Sequence, residues 1–415
     1  MRKARVLLVF AVTAVALLGV LASRVTVRDG GNTDTADSAT TSSAANTSAT
    51  KSTTTTTKPK SGGKRSGDVR FGPGDAVASV VAGSPTGTVF VFSPGVYKGV
   101  SVQPKAGQVF LGEAGAVLDG NGAKFAFRSG SPNVTIDGLE ITDYRPSSKD
   151  GVIQGIGGWV VSNNEIHHNA EIGVKGTTEW RVIGNNIHHN GRYGITMSSR
   201  SVLIEGNEIA YNATDYGATG SSGGTKFVHT ENLVLRDNYV HHNFGNGLWV
   251  DINNLGYMIE DNLVVGNERA GIKVEISCSG TIRNNYVEGN GHGDTTANFK
   301  GSGIFIAVTP GVEVYGNTLV NNPGGGIGAI QWNHNNVGAV NKCVPALKNL
   351  NVHHNVITQS GGAAAGIDAS SNRDKVWSSW NNRFHNNTYN AGNGDQFRWK
   401  GQWTKLSEWR AAGNG

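Results

Sequence analysis

Apolar residues in this chain come in short alternating bursts set off by asparagine and glycine, a two-residue period that specifies strands and turns. The bursts recur as one unit: Asn, four residues, Asn, a few small residues, Gly, then an alternating apolar strand. Its asparagine pairs fall at Asn164/Asn169, Asn185/Asn190, Asn207/Asn212, Asn238/Asn243, Asn262/Asn267, Asn285/Asn290, Asn317/Asn322 and Asn382/Asn387, with Asn355 and Ser360 as a variant copy. The core unit is 21 to 24 residues long, and longer copies carry insertions. It is too short for a four-stranded propeller blade or a two-helix repeat, and it cannot bury its own apolar face. Stacking solves that problem. The pattern predicts an all-β parallel β-helix, one coil per unit and coils ~4.8 Å apart, with equivalent asparagines bonded from coil to coil.

The His-His turns at His167/His168, His188/His189, His241/His242 and His353/His354 occupy one position in the unit. Other coils place Ala210-Tyr211 or Glu288-Gly289 there, so these histidines are read as turn packing and no metal site is assigned to them. Asp75 to Ala82 and Leu406 to Ala412 read as short helices that close the open ends of the stack. Trp399, Trp403 and Trp409 read as packing for the second cap.

Aligning the strands after each Gly turn sorts their outward positions into two columns, because successive side chains point to opposite faces. One reads Lys175, Thr196, Lys226, Trp249, Lys273, Phe305, Gly328, Asp368. The next reads Thr177, Ser198, Val228, Asp251, Glu275, Ala307, Ile330, Ser370. Charge and aromatic character concentrate between Gly224 and Ser279, where Lys226, Trp249, Asp251, Lys273 and Glu275 fall on adjacent coils. Asp251 and Glu275 are expected as vertical neighbours, a spacing of ~5 Å that suits a carboxylate pair with one raised pKa. Trp249 offers a flat face for a sugar ring, with Asn253, Lys175 and Phe305 as flanking binding positions. Lys226, Lys273 and His229 are candidates for proton transfer or for holding an anionic sugar. The insertion Ala213 to Gly224 is expected to form a wall beside the strip. The alternative for the same residues is a solvated ion-pair network.

Composition agrees with a turn-rich β protein: 59 of 415 residues are Gly, against 3 Met and 2 Cys. The formal charge of +5 owes much to the first 70 residues, and no basic stripe interleaved with aromatics is present, which argues against nucleic acid as a partner. Residues 1–28 hold a basic start and the apolar run Val6 to Ala22, the form of a secretory signal, with a retained membrane anchor as the alternative. Either places the bulk of the chain outside the cytoplasm, secreted or held at the outer face of the membrane. Residues 29–67 are Thr/Ser-rich, including Thr53 to Thr57, and read as a disordered tether. The β-helix is assigned to residues 68–415. In an exported protein Cys278 and Cys343 either pair, if the insertion carrying Cys343 folds back, or remain a buried thiol and a loop thiol.

The Gly-Ile-x-Val strands and Asn-x-Ile-x-x-Asn turns of this region resemble the right-handed parallel β-helix proteins of the pectate-lyase-like superfold, in particular extracellular members with carbohydrate-binding and sugar-hydrolase repeats. The resemblance implies a right-handed solenoid with short capping helices at both ends and a polysaccharide partner. It does not choose a reaction, because that superfold hosts several. From the carboxylate pair, the leading expectation is a polysaccharide glycoside hydrolase without a cofactor. The first alternative is a lyase or epimerase acting on a uronate polymer, with Ca²⁺ held by Asp251, Glu275 and Asn253 and with Lys226 or Lys273 as the base. The second is a non-catalytic carbohydrate-binding or cell-surface protein.

Overall fold

The computed structural model describes residues 68–217, 221–295, 299–334 and 342–415. The signal-or-anchor segment and the Thr/Ser-rich tether assigned from the sequence lie outside the described residues. Within them, strands stack into three sheets of 13, 12 and 12 strands, parallel throughout except for the last strand of the third sheet. A coil runs from Val160–Ser162 on the first sheet through Glu165–His167 on the second to Ile172–Gly176 on the third. Arg181–Ile183 then re-enters the first sheet, with Val160 opposite Arg181. This is the all-β solenoid that the repeat demands.

Three-residue strands point one side chain inward, so each coil contributes a single residue per short strand to a dry core. Val161, Val182, Ile204, Leu235, Ile259 and Ile282 form such a column on the first sheet, and none has exposed surface. Larger groups enter where the opposite wall recedes. Trp159 and Trp180 stack at 5.2 Å above Gly155 and Gly176, where a Cβ would lie 2.4 and 2.3 Å from the indole rings. The ends are closed as expected. Helix α1 (Val77–Gly83) inserts Val77 and Val81 into the first coils. At the other end an antiparallel pair, Phe397–Trp399 with Gln402–Thr404, precedes a helix at Leu406–Ala411. Trp409 of that helix is fully buried against Phe397.

Corners of the coil are held by buried asparagines. Asn238 shows the geometry: its backbone N–H and its Nδ2 both donate to Asn262 Oδ1, at 3.1 and 3.0 Å. Nδ2 also donates to the Ile204 carbonyl at 3.0 Å. One side chain thereby satisfies backbone groups that the sharp corner strips from the sheets. The ladder between the first and second sheets continues through Asn355 to Asn387, so Asn387 is not the second member of a pair begun by Asn382. Asn382 belongs to the third corner, where its Oδ1 accepts from Leu350 N at 3.1 Å. The ladder between the second and third sheets ends on Gln359, whose Oε1 accepts from Asn322 N at 3.0 Å. The longer glutamine does from one position earlier what was expected of Ser360.

The histidine pairs line the second of these corners. In each, the first imidazole meets a carboxylate of the preceding coil, as with His188 and Glu165 at 3.3 Å and His241 and Glu208 at 3.3 Å. It meets its neighbour through Nδ1 atoms 2.8 and 3.0 Å apart in those two pairs. Rings stack from coil to coil, His167 on His188 and His168 on His189, both at 4.9 Å. Among the described residues no group of three or more His, Cys, Asp or Glu is gathered as metal ligands.

Asn243 sits mid-ladder, accepting from Asn212 and donating to Asn267 and the Ile209 carbonyl. Replacing it with Ala strands buried donors and acceptors on three coils, so the Asn243→Ala variant is expected to lose on the order of 3 kcal/mol in urea unfolding. A loss below about 1 kcal/mol contradicts the ladder's role. The histidines set the acid limit. Burial, chiefly, pushes His188, His189 and His242 below their ordinary value of 6.5, so just below that pH the unfolded chain binds more protons than the folded one. Stability is therefore full above 6.5 and declines as pH falls through the lowered pKa values. The urea midpoint should fall between about pH 7.5 and about pH 5.5, and a midpoint that holds or rises contradicts this.

Candidate active site

The third sheet carries the charged strip. Leu248–Asp251 and Ile272–Glu275 are adjacent strands in which Trp249 lies opposite Lys273 and Asp251 opposite Glu275. Phe227 lies opposite Val250, which sets Lys226 beside Trp249. Val250 and Val274 fill the core, so their neighbours face out of the solenoid. The two carboxylates are therefore side by side on the outer face. At the far end of the columns the alignment needs correction. Asp368 pairs with Ile330 and stands in the Glu275 column, because Gly366 lies opposite Gly328 inside the strand and is not the turn glycine that the Gly-Ile pattern suggests.

Each carboxylate is held by a lysine: Lys226 Nζ lies 2.7 Å from Asp251 Oδ2, and Lys273 Nζ lies 2.7 Å from Glu275 Oε2. Trp249 lies between the two ammonium groups, 3.7 Å from Lys226 Nζ and 4.4 Å from Lys273 Nζ at its ring centre. The ion pairs anticipated as the alternative are present, yet they are not solvated. Side-chain exposure is 6% for Asp251, 16% for Glu275, 14% for Lys273 and 23% for Lys226, so water screens them weakly. Burial raises the Asp251 carboxyl above its ordinary value, Lys226 pulls it back, and the Glu275 charge raises it again.

Several expected roles do not survive this geometry. Trp249 is 4% exposed and packs on Ile172 and Tyr193, so no open face awaits a sugar ring. Phe305 is buried in a second apolar cluster with Phe299, which the insertion after Asn290 folds over Gly328, and it cannot reach a ligand. Lys175 donates to the Lys149 carbonyl at 2.7 Å and lies opposite Thr196, three coils before Trp249. His229, within the strand Gly223–Glu231, and Asn253, just past Leu248–Asp251, both take left-handed backbone, with φ of 57° and 62°, and meet each other at 3.4 Å. Asn253 Oδ1 accepts from Lys342 N at 2.7 Å. That contact is placed by the Cys278–Cys343 disulfide, which joins Cα atoms 5.8 Å apart and brings the later segment across this turn. Asn253 is thus engaged by His229 and Lys342, and each acid by an ammonium group.

Sequence reasoning missed the groups that border the strip on its entry side. Tyr193 packs on Trp249, and burial raises its hydroxyl pKa, with the Asp251 charge adding to the rise. Arg192 lies 3.7 Å from Glu171 and over the Tyr216 ring at 4.8 Å. Tyr216 comes from the insertion expected as a wall and donates to Glu171 at 2.5 Å. Arg192 Nε, both amide atoms of Asn246 and Trp249 Nε1 are buried without a protein partner. Such a concentration of unsatisfied polar atoms beside an ion-pair strip is the mark of a site that expects a polar visitor. The available signal was Tyr193 two residues before Ile195, where the strand Tyr193–Arg200 begins earlier than the aligned pattern does.

Residues 114–254 and 172–344 match the family model described as right handed beta helix region. Those spans take in more than half of the sequence. The chain belongs to the right-handed β-helix family. No curated protein matches it in sequence. Solved structures of similar shape include the A-module of the Azotobacter vinelandii mannuronan C-5 epimerase AlgE6, at 12% identity over 76% of this chain and 93% of that one, TM-score 0.40. Another is the PL6 family alginate lyase AlyGC, at 14% identity and TM-score 0.48, where 80% of this chain spans about half, 53%, of that one. A third is the alginate lyase AlyF-OU02 in complex with G6, at 14% identity over 82% and 86%, TM-score 0.44. These likenesses are too distant to carry a functional argument.

The ion pair itself is testable. Lys226→Met leaves the Asp251 carboxylate buried without its closest cation, and is expected to cost about 3 to 5 kcal/mol at neutral pH. Because the Asp251 pKa is already raised and rises further in this variant, the folded state takes up a proton before the unfolded state does, and the deficit shrinks as pH falls. Urea unfolding at about pH 8 and about pH 5 reads this directly. A deficit equal at both pH values contradicts the pairing.

Proposed function

We propose that this β-helix acts on a uronate-containing polysaccharide by removing the proton beside the sugar carboxylate, the step shared by β-elimination and C-5 epimerisation. The observation that carries the reading is the alternation of two ammonium groups with two carboxylates on one partly covered strip. Lys226 and Lys273 each already bond a carboxylate at 2.7 Å, so they suit the binding and neutralisation of a uronate carboxylate better than the role of base. Neutralising that carboxylate is what makes the adjacent carbon acidic enough to lose a proton. Asp251, with its carboxyl pKa raised by burial, is the proton acceptor in this reading. Tyr193, whose hydroxyl stays protonated, is positioned as a donor. The polysaccharide-modifying activities named for the distantly similar structures are of this class, but the reading rests on the strip.

A hydrolase remains the second reading, favoured by one observation: Asp251 and Glu275 are neighbours, and the former's pKa is raised. Against it, neither carboxyl lies in an apolar pocket free of a cation, as a neutral general acid requires.

The discriminating experiment incubates the full chain with a panel of uronate polymers and neutral polysaccharides in D₂O. Deuterium at C-5 or ultraviolet absorbance from an unsaturated uronate is expected, and Asp251→Asn should lower the rate by about 10² to 10⁴. New reducing ends without either signal establish hydrolysis instead. Binding with no turnover of any polymer establishes a non-catalytic carbohydrate-binding protein.

A further inference from the structure

Away from the strip, on the corner between the second and third sheets, the last coils leave a cleft of about 740 Å³, within the range of small-ligand sites. Glycines dominate its lining: Gly324, Gly361, Gly362, Gly392 and Gly394 border it together with Gln396, Asp395 and Trp403. We propose that this cleft binds a neutral sugar residue.

Gln396 is the first argument. It is 6% exposed, and its Nε2 donates to the Gly362 carbonyl at 2.9 Å. That contact fixes the orientation of the amide, since only the NH₂ end can face a carbonyl. Oε1 is left buried and without a partner, beside Gly392, where a Cβ would stand 3.3 Å from it. A buried acceptor in this state selects a ligand that brings a donor.

Trp403 is the second. Its ring is half-buried, fixed by Phe299 at 5.8 Å and by the Arg398 guanidinium at 5.3 Å, which Asp368 anchors at 3.2 Å. A pre-positioned indole beside an unsatisfied amide oxygen is suited to the mixed apolar and hydroxyl surface of a pyranose. The charge of the lining chooses among sugars. Among the described residues that line the cleft Asp395 is the charged one, and the nearby Arg398 is paired with Asp368, so hydroxyl donors are favoured over a uronate carboxylate. The two sites thus want opposite chemistry, lysines for an anionic residue on the strip and acceptors for a neutral one here.

The cleft is bordered by the coils of Ile304–Ala307, Ile327–Gln331, Ala365–Ala369 and Phe397–Trp399. These follow the coil of Lys273 and Glu275, within roughly 20 Å along the axis at one coil spacing each. One glycan chain carrying both kinds of residue can reach both sites. That coupling rests on the function proposed above; binding at the cleft does not.

Gly361 lines the cleft and a Cβ there meets nothing within 4 Å, so Gly361→Phe is the blocking variant, placing a ring at the cleft without displacing a neighbour. Full-length wild type, Gly361→Phe, Trp403→Ala and Asp251→Asn are titrated calorimetrically with glucan, mannan and galactan tetrasaccharides and with a uronate tetrasaccharide. Thermal melts confirm that each variant is folded. At least one neutral tetrasaccharide should bind wild type and Asp251→Asn alike, and bind Gly361→Phe and Trp403→Ala at least tenfold more weakly. The proposal is overturned if no neutral tetrasaccharide binds wild type, if Gly361→Phe leaves that binding intact, or if Gly361→Phe removes uronate binding instead. Failure of turnover on every polymer, with this binding pattern intact, sinks the catalytic reading alone.

Discussion

Register between coils is the constraint on which everything else depends. A parallel stack of short strands has little to prevent one coil from sliding along its neighbour, because hydrogen bonds between strands are equivalent after a two-residue shift. The buried asparagines remove that freedom. Each presents one oxygen to the backbone N–H and the side-chain amide of the preceding coil, and a slip would strand several buried polar groups at once. With the corners pinned, residues far apart in sequence are forced opposite each other on the third sheet.

That same constraint creates an electrostatic problem. Asp251 and Glu275 are brought into adjacent positions, and burial deprives them of the water that would screen their repulsion. Lys226 and Lys273 resolve it by pairing with one carboxylate each, and Trp249 fills the space between the ammonium groups. The outcome is a strip in which charge is locally balanced while the Asp251 carboxyl remains destabilised in its ionised form. A fold optimised for stability alone has no need of such residues on a sheet that could be covered with apolar ones. The backbone beyond the strip points the same way. Ile252 and Ile276 occupy left-handed conformations, φ 53° and 49°, which β-branched residues adopt only when the surrounding structure imposes them.

How much of this could be read from the sequence varied with how local the signal was. Alternation and asparagine spacing were enough for the solenoid, the inward and outward faces, and the opposition of Asp251 and Glu275. They failed where one signal stood for another: Gly366 resembled a turn glycine but lies within a strand, and Gln359 does the work of an asparagine one position later. Burial of the outer face was not legible, because the residues that cover it arrive from insertions. Phe299 hides Phe305, and Tyr216 reaches Glu171. Trp403 was read as cap packing, which describes Trp409 well, whereas Trp403 also borders a cleft made by glycines from three different coils. Whether a glycine leaves a hole or admits a neighbour's ring depends on what lies one coil away.

The most direct test of the account is a structure of the Asp251→Asn protein with a uronate oligosaccharide bound. The account predicts a sugar carboxylate within hydrogen-bond reach of Lys226 and Lys273 on the outer face of the third sheet. An oligosaccharide seated on the first or second sheet, with both lysines untouched, would contradict it.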